Sequence, residues 1–373
     1  SLGRVVEDEP GAGARSESAR RRAPPPSLLF TPQEAKQHDE GAFAAIAQRG
    51  LLAISVLEPD AAASAHLFHG PSKDRELLTH EENAKLNGEL RHLMNLISPH
   101  MLSRAAQEVM EGLLQRYDVH KRNVDDVIGC VLPYHDSPMF TTLVQGLHLQ
   151  GNPRWSWLQT LQDKPASLVR AALAKYCLRD TSVLAFIGEK VAESAKVHKA
   201  HRPLATLFAA VWLDVLAGAK AVGPDRANAA WKALQPALRR PHLGDLFHSA
   251  LVVAVALGAK AELDEHFRAQ ILERLARQVT GEQGRSASLA LALLLQLQGG
   301  AALPEKVVQS LSAAGHAAVL QTLRSGVDCQ NLLVSLLAAT LQKEEAGAPA
   351  EELPALARGL LGEAQAVDDY AEP

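Results

Sequence analysis

Apolar residues recur at helical spacing along most of the chain. Between residues 98 and 117, Met101, Ala105, Val109, Leu113 and Tyr117 form one row, and Leu102, Ala106, Met110 and Leu114 form its neighbour. Arg104, Gln107, Glu108, Glu111 and Gln115 take the other face. From 204 to 219, Leu204, Leu207, Phe208, Val211, Trp212, Val215, Leu216 and Ala219 follow an i, i+3, i+4, i+7 pattern that marks one buried stripe of a helix. Val183, Ile187 and Val191 repeat it, as do Leu332, Leu333, Leu336, Leu337 and Leu341. Sustained period-two alternation is nearly absent. The pattern predicts roughly fifteen helices of about 10–20 residues joined by short loops.

Helix starts are written in a repeated local grammar. Thr31 before Pro32 and Glu34 supplies a cap, a first-turn proline and a capping-box acid. Ser98-Pro99, Ser137-Pro138, Asn152-Pro153 and Gly223-Pro224 read as further starts. Residues 1–26, which contain Arg20, Arg21 and Arg22 and end in three prolines, read as a disordered leader. Residues 27–345 read as one helical module, and 346–373 as a polar linker or partial helix around Leu353–Leu361. Ser1 to Arg4 carry no signal-peptide apolar stretch, and the missing initiator Met suggests part of a longer protein.

Such a series of amphipathic helices can close into a globular bundle or stack as a solenoid of hairpins. HEAT-type units are degenerate, with a period of about 40 residues, and the helices taken in pairs give a similar spacing. The expected fold is therefore all-α, a HEAT-like α-solenoid of stacked antiparallel helix pairs. Aromatics at only 4% fit this, because strands favour aromatic and β-branched side chains. A net charge of -4 gives the whole chain no uniform attraction to nucleic acid or an anionic membrane. The longest uninterrupted apolar runs, such as Leu251–Leu257, fall far short of the roughly 18 residues of a membrane span. Cys130, Cys177 and Cys329 are too scattered for a zinc knuckle or a disulfide framework. With no N-x-Ser/Thr acceptor, they fit a reducing compartment.

Signatures of catalysis are missing: no GxSxG, P-loop, HExxH or dinucleotide fingerprint occurs, so no enzyme, no cofactor, no metal and no small-molecule substrate is expected. His198 and His201 are spaced to share a metal, but Lys196, Lys199 and Arg202 around them disfavour a cation. Those three bases are instead weak candidates for phosphate contacts. Asp125 and Asp126 are adjacent and diverge by about 100° on a helix, so they belong in a first turn after Asn123, as do Glu81 and Glu82. Arg154, Trp155 and Trp157 form the densest aromatic spot. It reads as a packing corner, with a base-stacking platform as the alternative. Cys130, Pro133, Tyr134, His135 and Asp136 break the helical rhythm, and Tyr134 and His135 are expected to bond backbone groups freed by Pro133. A Cys130–His135 nucleophile and base would have no orienting partner.

The segments SLLFTPQEA (27–35), LISPHMLSRAAQEVMEGLLQRYDVH (96–120), IGCVLPYHD (128–136) and NPRWSWL (152–158), in that order, resemble the N-terminal region of one eukaryotic family. It is the large HEAT-repeat protein of the small-subunit processome, Utp-ten in yeast and HEAT repeat-containing protein one in animals. The landmarks cover roughly residues 27–200, with a compatible helical pattern to about 345. The resemblance implies a long non-catalytic α-solenoid, nucleolar, acting in early pre-rRNA processing and linked to RNA polymerase I. It implies β-propeller and helical protein partners of the early subcomplex, the pre-rRNA and the small nucleolar ribonucleoprotein. Contact with RNA through this portion is expected to be indirect, and no membrane partner is implied. A generic HEAT-repeat adaptor outside ribosome biogenesis is the alternative.

Overall fold

A computed structural model of the protein describes residues 26–71, 74–299 and 303–314, together with 331–332, 334–336 and 338–339. The expected leader apart from Pro26, Cys329, most of the leucine row after 331 and the 346–373 tail lie outside the described residues. The described residues contain helices and turns but no strand. They divide into two compact units. The first comprises residues to Leu96, Leu102–Val127 and Thr142–Leu149, and the second comprises Ile97–Met101, Ile128–Thr141 and everything from Gln150.

The first unit is built around two helices. The short α1 (Pro32–Ala35) opens with the expected capping box of Thr31 and Glu34. Asp39 caps α2 (Glu40–Leu57), a 3-10 segment follows at Pro59–Phe68, and α3 (His80–Ile97) comes next. Thr79 and Glu82 exchange capping bonds at its start, the Glu82 amide donating to Thr79 Oγ1 and the Thr79 amide to Glu82 Oε2. Then come α4 (Arg104–Tyr117), α5 (Val119–Arg122), α6 (Val124–Val131) and α7 (Pro138–Gly146). By length and composition α2 could cross a membrane. Here it is a core helix, burying Phe43, Ala44, Ala47, Gly50, Leu51 and Ile54, and it runs antiparallel to α4. The approach is close enough that a Cβ on Gly112 would lie 2.4 Å from the Ala47 Cβ and one on Gly50 2.5 Å from the Ala105 carbonyl oxygen.

Helix α4 departs from the sequence reading in two ways. Ser98-Pro99 starts a 3-10 turn, and α4 itself begins at Arg104, where the Ser103 hydroxyl accepts the Ala106 N–H. Part of its expected polar face is also buried: Glu108 and Glu111 are covered, while Arg104 stays exposed and Leu102 is 65% exposed. Burial is tolerable because each carboxylate is ion-paired or hydrogen-bonded. Glu108 takes Arg49 at 2.6 Å, and Glu111 accepts the Leu28 N–H at 2.7 Å. Buried Arg116 meets Glu40 at 3.1 Å and the Gly70 carbonyl at 2.9 Å. A second buried cation, Arg75, donates to the Tyr117 carbonyl (3.0 Å), to Asn123 Oδ1 (2.8 Å) and to Asn87. Burial lowers the Arg75 pKa. Asp125 and Asp126 do fall in the first turn of α6, and Asp126 pairs with Arg91 at 2.8 Å.

The second unit contains α8 (Gln159–Asp163), α9 (Arg170–Arg179), α10 (Thr181–Lys196), α11 (Arg202–Gly218), α12 (Pro224–Ala237), α13 (Gly244–Lys260), α14 (Glu265–Ala276), α15 (Gly284–Leu297) and α16 (Glu305–Ala314). Helix α10 packs on α9 and on α11, α12 on α13 and α14 on α15, and a second set of contacts joins helices two places apart: α9 with α11, α11 with α13, α13 with α15, α10 with α12 and α14 with α16. This is the two-layer arrangement of a HEAT-like α-solenoid, with antiparallel pairs and parallel same-layer neighbours. Bonds between matching ends fix the direction. His248 Nε2 meets Ser286 Oγ at 3.1 Å, joining the starts of α13 and α15. Gln298 after α15 donates to the Gly258 and Ala261 carbonyls at the end of α13. The residues expected to be apolar on α11 are buried, including Trp212 and Phe208.

The α2–α4 approach yields a prediction. Gly112→Val should cost about 1–3 kcal/mol by forcing α4 away from Ala47 and Phe68. Gly88→Ala, at an exposed point of α3 with open space around it, should add about 0.5–1 kcal/mol. Urea titration of both variants measures the two effects, and a neutral Gly112→Val would contradict the packing described.

Candidate functional site

The corner at residues 130–137 lies in the second unit. Proline ends the preceding helix, and Leu132–Tyr134 form a single 3-10 turn. Ser137 then accepts the Phe140 N–H at the start of α7, as its position before Pro138 predicts. Tyr134 and His135 are buried. Their partners, however, are not the groups released by Pro133: Tyr134 donates its hydroxyl to the Ser98 carbonyl at 2.8 Å, and His135 Nδ1 meets the Leu168 carbonyl at 2.6 Å. The side chains reach outward to distant backbone because the 3-10 turn already uses its own carbonyls, Leu132 for the His135 N–H and Tyr134 for Ser137.

His201 completes the arrangement. Its Nδ1 accepts the Leu204 N–H and so caps α11, which places the proton on Nε2, 2.8 Å from Ser98 Oγ. Ser98 in turn donates to the Cys130 carbonyl at 2.8 Å. The neutral tautomer is locked by this chain, and burial, assisted by nearby His100, pushes the His201 pKa down to about 4. Burial likewise pushes the Tyr134 hydroxyl up to about 12, with Cys130 adding to it. Cys130 and Cys177 are free and buried, and burial followed by Asp180 raises the Cys177 thiol to about 12. Thus the His198–His201 pair of the sequence is split: His201 is a cap, and exposed His198 stacks on His242 at 5.2 Å.

Arg154, Trp155 and Trp157 sit on a 3-10 segment, Pro153–Leu158, rather than at an α-helix start. Trp155 is fully buried with its edge on Phe186 (5.0 Å, 85°), and Arg154 lies over the same ring at 5.3 Å. Trp157 stacks on Tyr176 at 4.3 Å. The spot is a packing corner whose rings face each other, so the base-stacking alternative has no open face at Trp155.

A groove of about 540 Å³ brings two of the sequence candidates together. Pro133, His135 and Asp136 line it with Arg202, Pro203 and Val169. Lys196 and Lys199 are not among its lining residues. Val169 and Arg170, which start α9, escaped sequence reading because nothing local marks them. The His135–Leu168 bond and the bond of the Ser167 hydroxyl to the Asp136 carbonyl carry them to the corner. Among the described residues no group of three or more metal-ligating side chains occurs.

Paired helices stacked in two layers make this an α-solenoid protein of the HEAT-like type. No family model matches the chain. An uncharacterised protein of Arabidopsis thaliana is 30% identical over 311 residues, covering 79% of this chain and 14% of that protein. HEAT repeat-containing protein 1 of Homo sapiens is 26% identical over 265 residues, 68% of this chain and 12% of that one. U3 small nucleolar RNA-associated protein 10 of Schizosaccharomyces pombe is 29% identical over 199 residues, 52% of this chain and 12% of that one. The chain belongs to the family of HEAT repeat-containing protein 1 and U3 small nucleolar RNA-associated protein 10. It spans about an eighth to a seventh of these relatives' length.

Two predictions follow from the corner. The ordinary His201 pKa of 6.5 holds in the unfolded chain, and burial pushes it down to about 4 in the fold. The unfolded state therefore binds the extra proton between these values. The His201 contribution is complete above pH 6.5, is lost progressively as pH falls to 4, and levels off below, amounting to roughly 3 kcal/mol. Urea midpoints across this range should show the slope in the parent and lose part of it in His201→Gln. His135→Ala leaves the Leu168 carbonyl without its donor and should destabilise by about 1–3 kcal/mol. An unchanged melting temperature would contradict that role.

Proposed function

We propose that this chain is a non-catalytic scaffold portion of the small-subunit processome, acting in ribosome biogenesis and early pre-rRNA processing, with a link to RNA polymerase I transcription. The observation that carries the reading is the similarity to relatives named U3 small nucleolar RNA-associated protein 10 in a chain built of stacked helix pairs. Solenoids bury their apolar stripes between repeats and leave long faces for partners. The corner and the tryptophan spot support a structural role, since their polar and aromatic groups are spent on internal contacts. The proposed location is the nucleolus. Protein subunits of the early subcomplex, β-propeller and helical, are the main partners, with pre-rRNA and the small nucleolar ribonucleoprotein alongside. Residues 27–345 serve as the HEAT-like module.

The test is recovery from a nuclear extract by the immobilised chain, with and without ribonuclease. The expected result is co-recovery of U3-associated subunits that survives ribonuclease. Recovery abolished by ribonuclease would make RNA the primary ligand. Recovery of no such subunit under either condition would favour an adaptor outside ribosome biogenesis.

A further inference from the structure

The solenoid of the second unit has two edges, each made of alternate inter-helix turns, and they differ in charge. On one edge lie the turns 196–202, 238–245 and 273–285, which join α10 to α11, α12 to α13 and α14 to α15. The His198–His242 stack ties the first of these turns to the second. Arg274 feels the charges of Arg239 and Arg277, which ties the second to the third. The three turns hold eight lysines and arginines (Lys196, Lys199, Arg202, Arg239, Arg240, Arg274, Arg277, Arg285) against three carboxylates, Asp245, Glu273 and Glu282. The turns 179–181, 219–226 and 260–265 on the opposite edge hold four cations against five carboxylates. The chain as a whole is at -4, so the basic edge is a local feature that net charge conceals.

We propose that this edge binds the phosphate backbone of single-stranded RNA. The inference rests on the scaffold reading only for the presence of RNA nearby, and it assigns direct contact to a portion expected to contact RNA indirectly. Three observations favour a phosphate backbone over an acidic protein surface. The cations follow a line of successive turns. Same-layer helices are spaced about 8–10 Å apart, so three turns offer a basic track of roughly 16–20 Å. Arg239, Arg277 and Arg285 are exposed, and Arg239 and Arg285 have no carboxylate partner among the described residues. The exposed residues of these turns are also mostly polar, with Val197 the only large apolar side chain strongly exposed. Protein interfaces draw their affinity from desolvated aromatic and apolar anchors, which this edge lacks. Helix dipoles contribute little, because every turn here ends one helix and begins another, and opposite ends cancel. The attraction comes from side chains, and such binding is governed by counterion release.

The experiment measures anisotropy of a fluorescent oligouridylate of about 20 nucleotides against the purified full chain between about 50 and 200 mM salt. Binding should weaken steeply with salt. Arg239→Gln, Arg240→Gln and Arg277→Gln together should weaken it roughly tenfold or more and flatten the log–log salt slope by about 2, since each single-strand phosphate contact contributes about 0.7. Lys196→Gln with Arg285→Gln should act in the same direction, which guards against misfolding of the triple variant. Lys220→Gln with Lys260→Gln on the opposite edge should leave the slope unchanged. No binding at low salt, or a triple variant indistinguishable from the parent, overturns the proposal. Displacement of the RNA by polyglutamate at equal charge also overturns it, in favour of an acidic protein partner. Because other subunits are absent, failure here leaves the scaffold reading standing. Recovery of no U3-associated subunit, with or without ribonuclease, would overturn that reading without altering the measured slope.

Discussion

The apolar stripes of α11 and α13 are each too wide to be buried against a single partner, and this constraint organises the solenoid. Helix α11 carries eight buried side chains along four turns, more surface than α10 alone covers. It is closed by α9 on one side and α13 on the other. The same holds for α13 between α11 and α15. Stability is thus distributed as contacts between neighbours, in the manner of repeat proteins, and the turns bury residues such as His201, Leu238, Leu243 and Val279 while leaving Arg239, Arg277 and Arg285 exposed. Those exposed positions let one set of turns become strongly basic without disturbing the core.

The buried polar groups follow a second rule: they join segments far apart in the chain. Ser98 bonds across 103 residues to His201, His135 across 33 to Leu168, and Tyr117 across 50 to Leu67. Arg75 gathers Asn83, Asn87, Tyr117 and Asn123. Each such group would be costly without its partner, so together they specify which segments meet. The apolar stripes alone, rich in interchangeable alanine and leucine, specify this poorly.

The sequence by itself determined the secondary structure class, several helix starts and the family. Periodicity marked α10 and α11 because their stripes face one direction and solvent the other. Thr31, Ser137 and Gly223 marked starts because capping and proline chemistry are local. The family landmarks were legible because Cys130–Asp136 and Asn152–Leu158 break the helical rhythm, and irregular segments carry more identity than repeats. Other features were decided only by the tertiary structure. Glu108 and Glu111 look like a solvent face, yet they are buried, since what covers α4 comes from residues 28 and 49. Ser98 looks like a cap for α4, yet its hydroxyl serves Cys130 and His201. The basic edge was visible in sequence only as Lys196, Lys199 and Arg202. Arg239, Arg240, Arg274 and Arg277 join them because alternate turns of a solenoid fall on one side, and adjacency of that kind exists only once the helices are stacked.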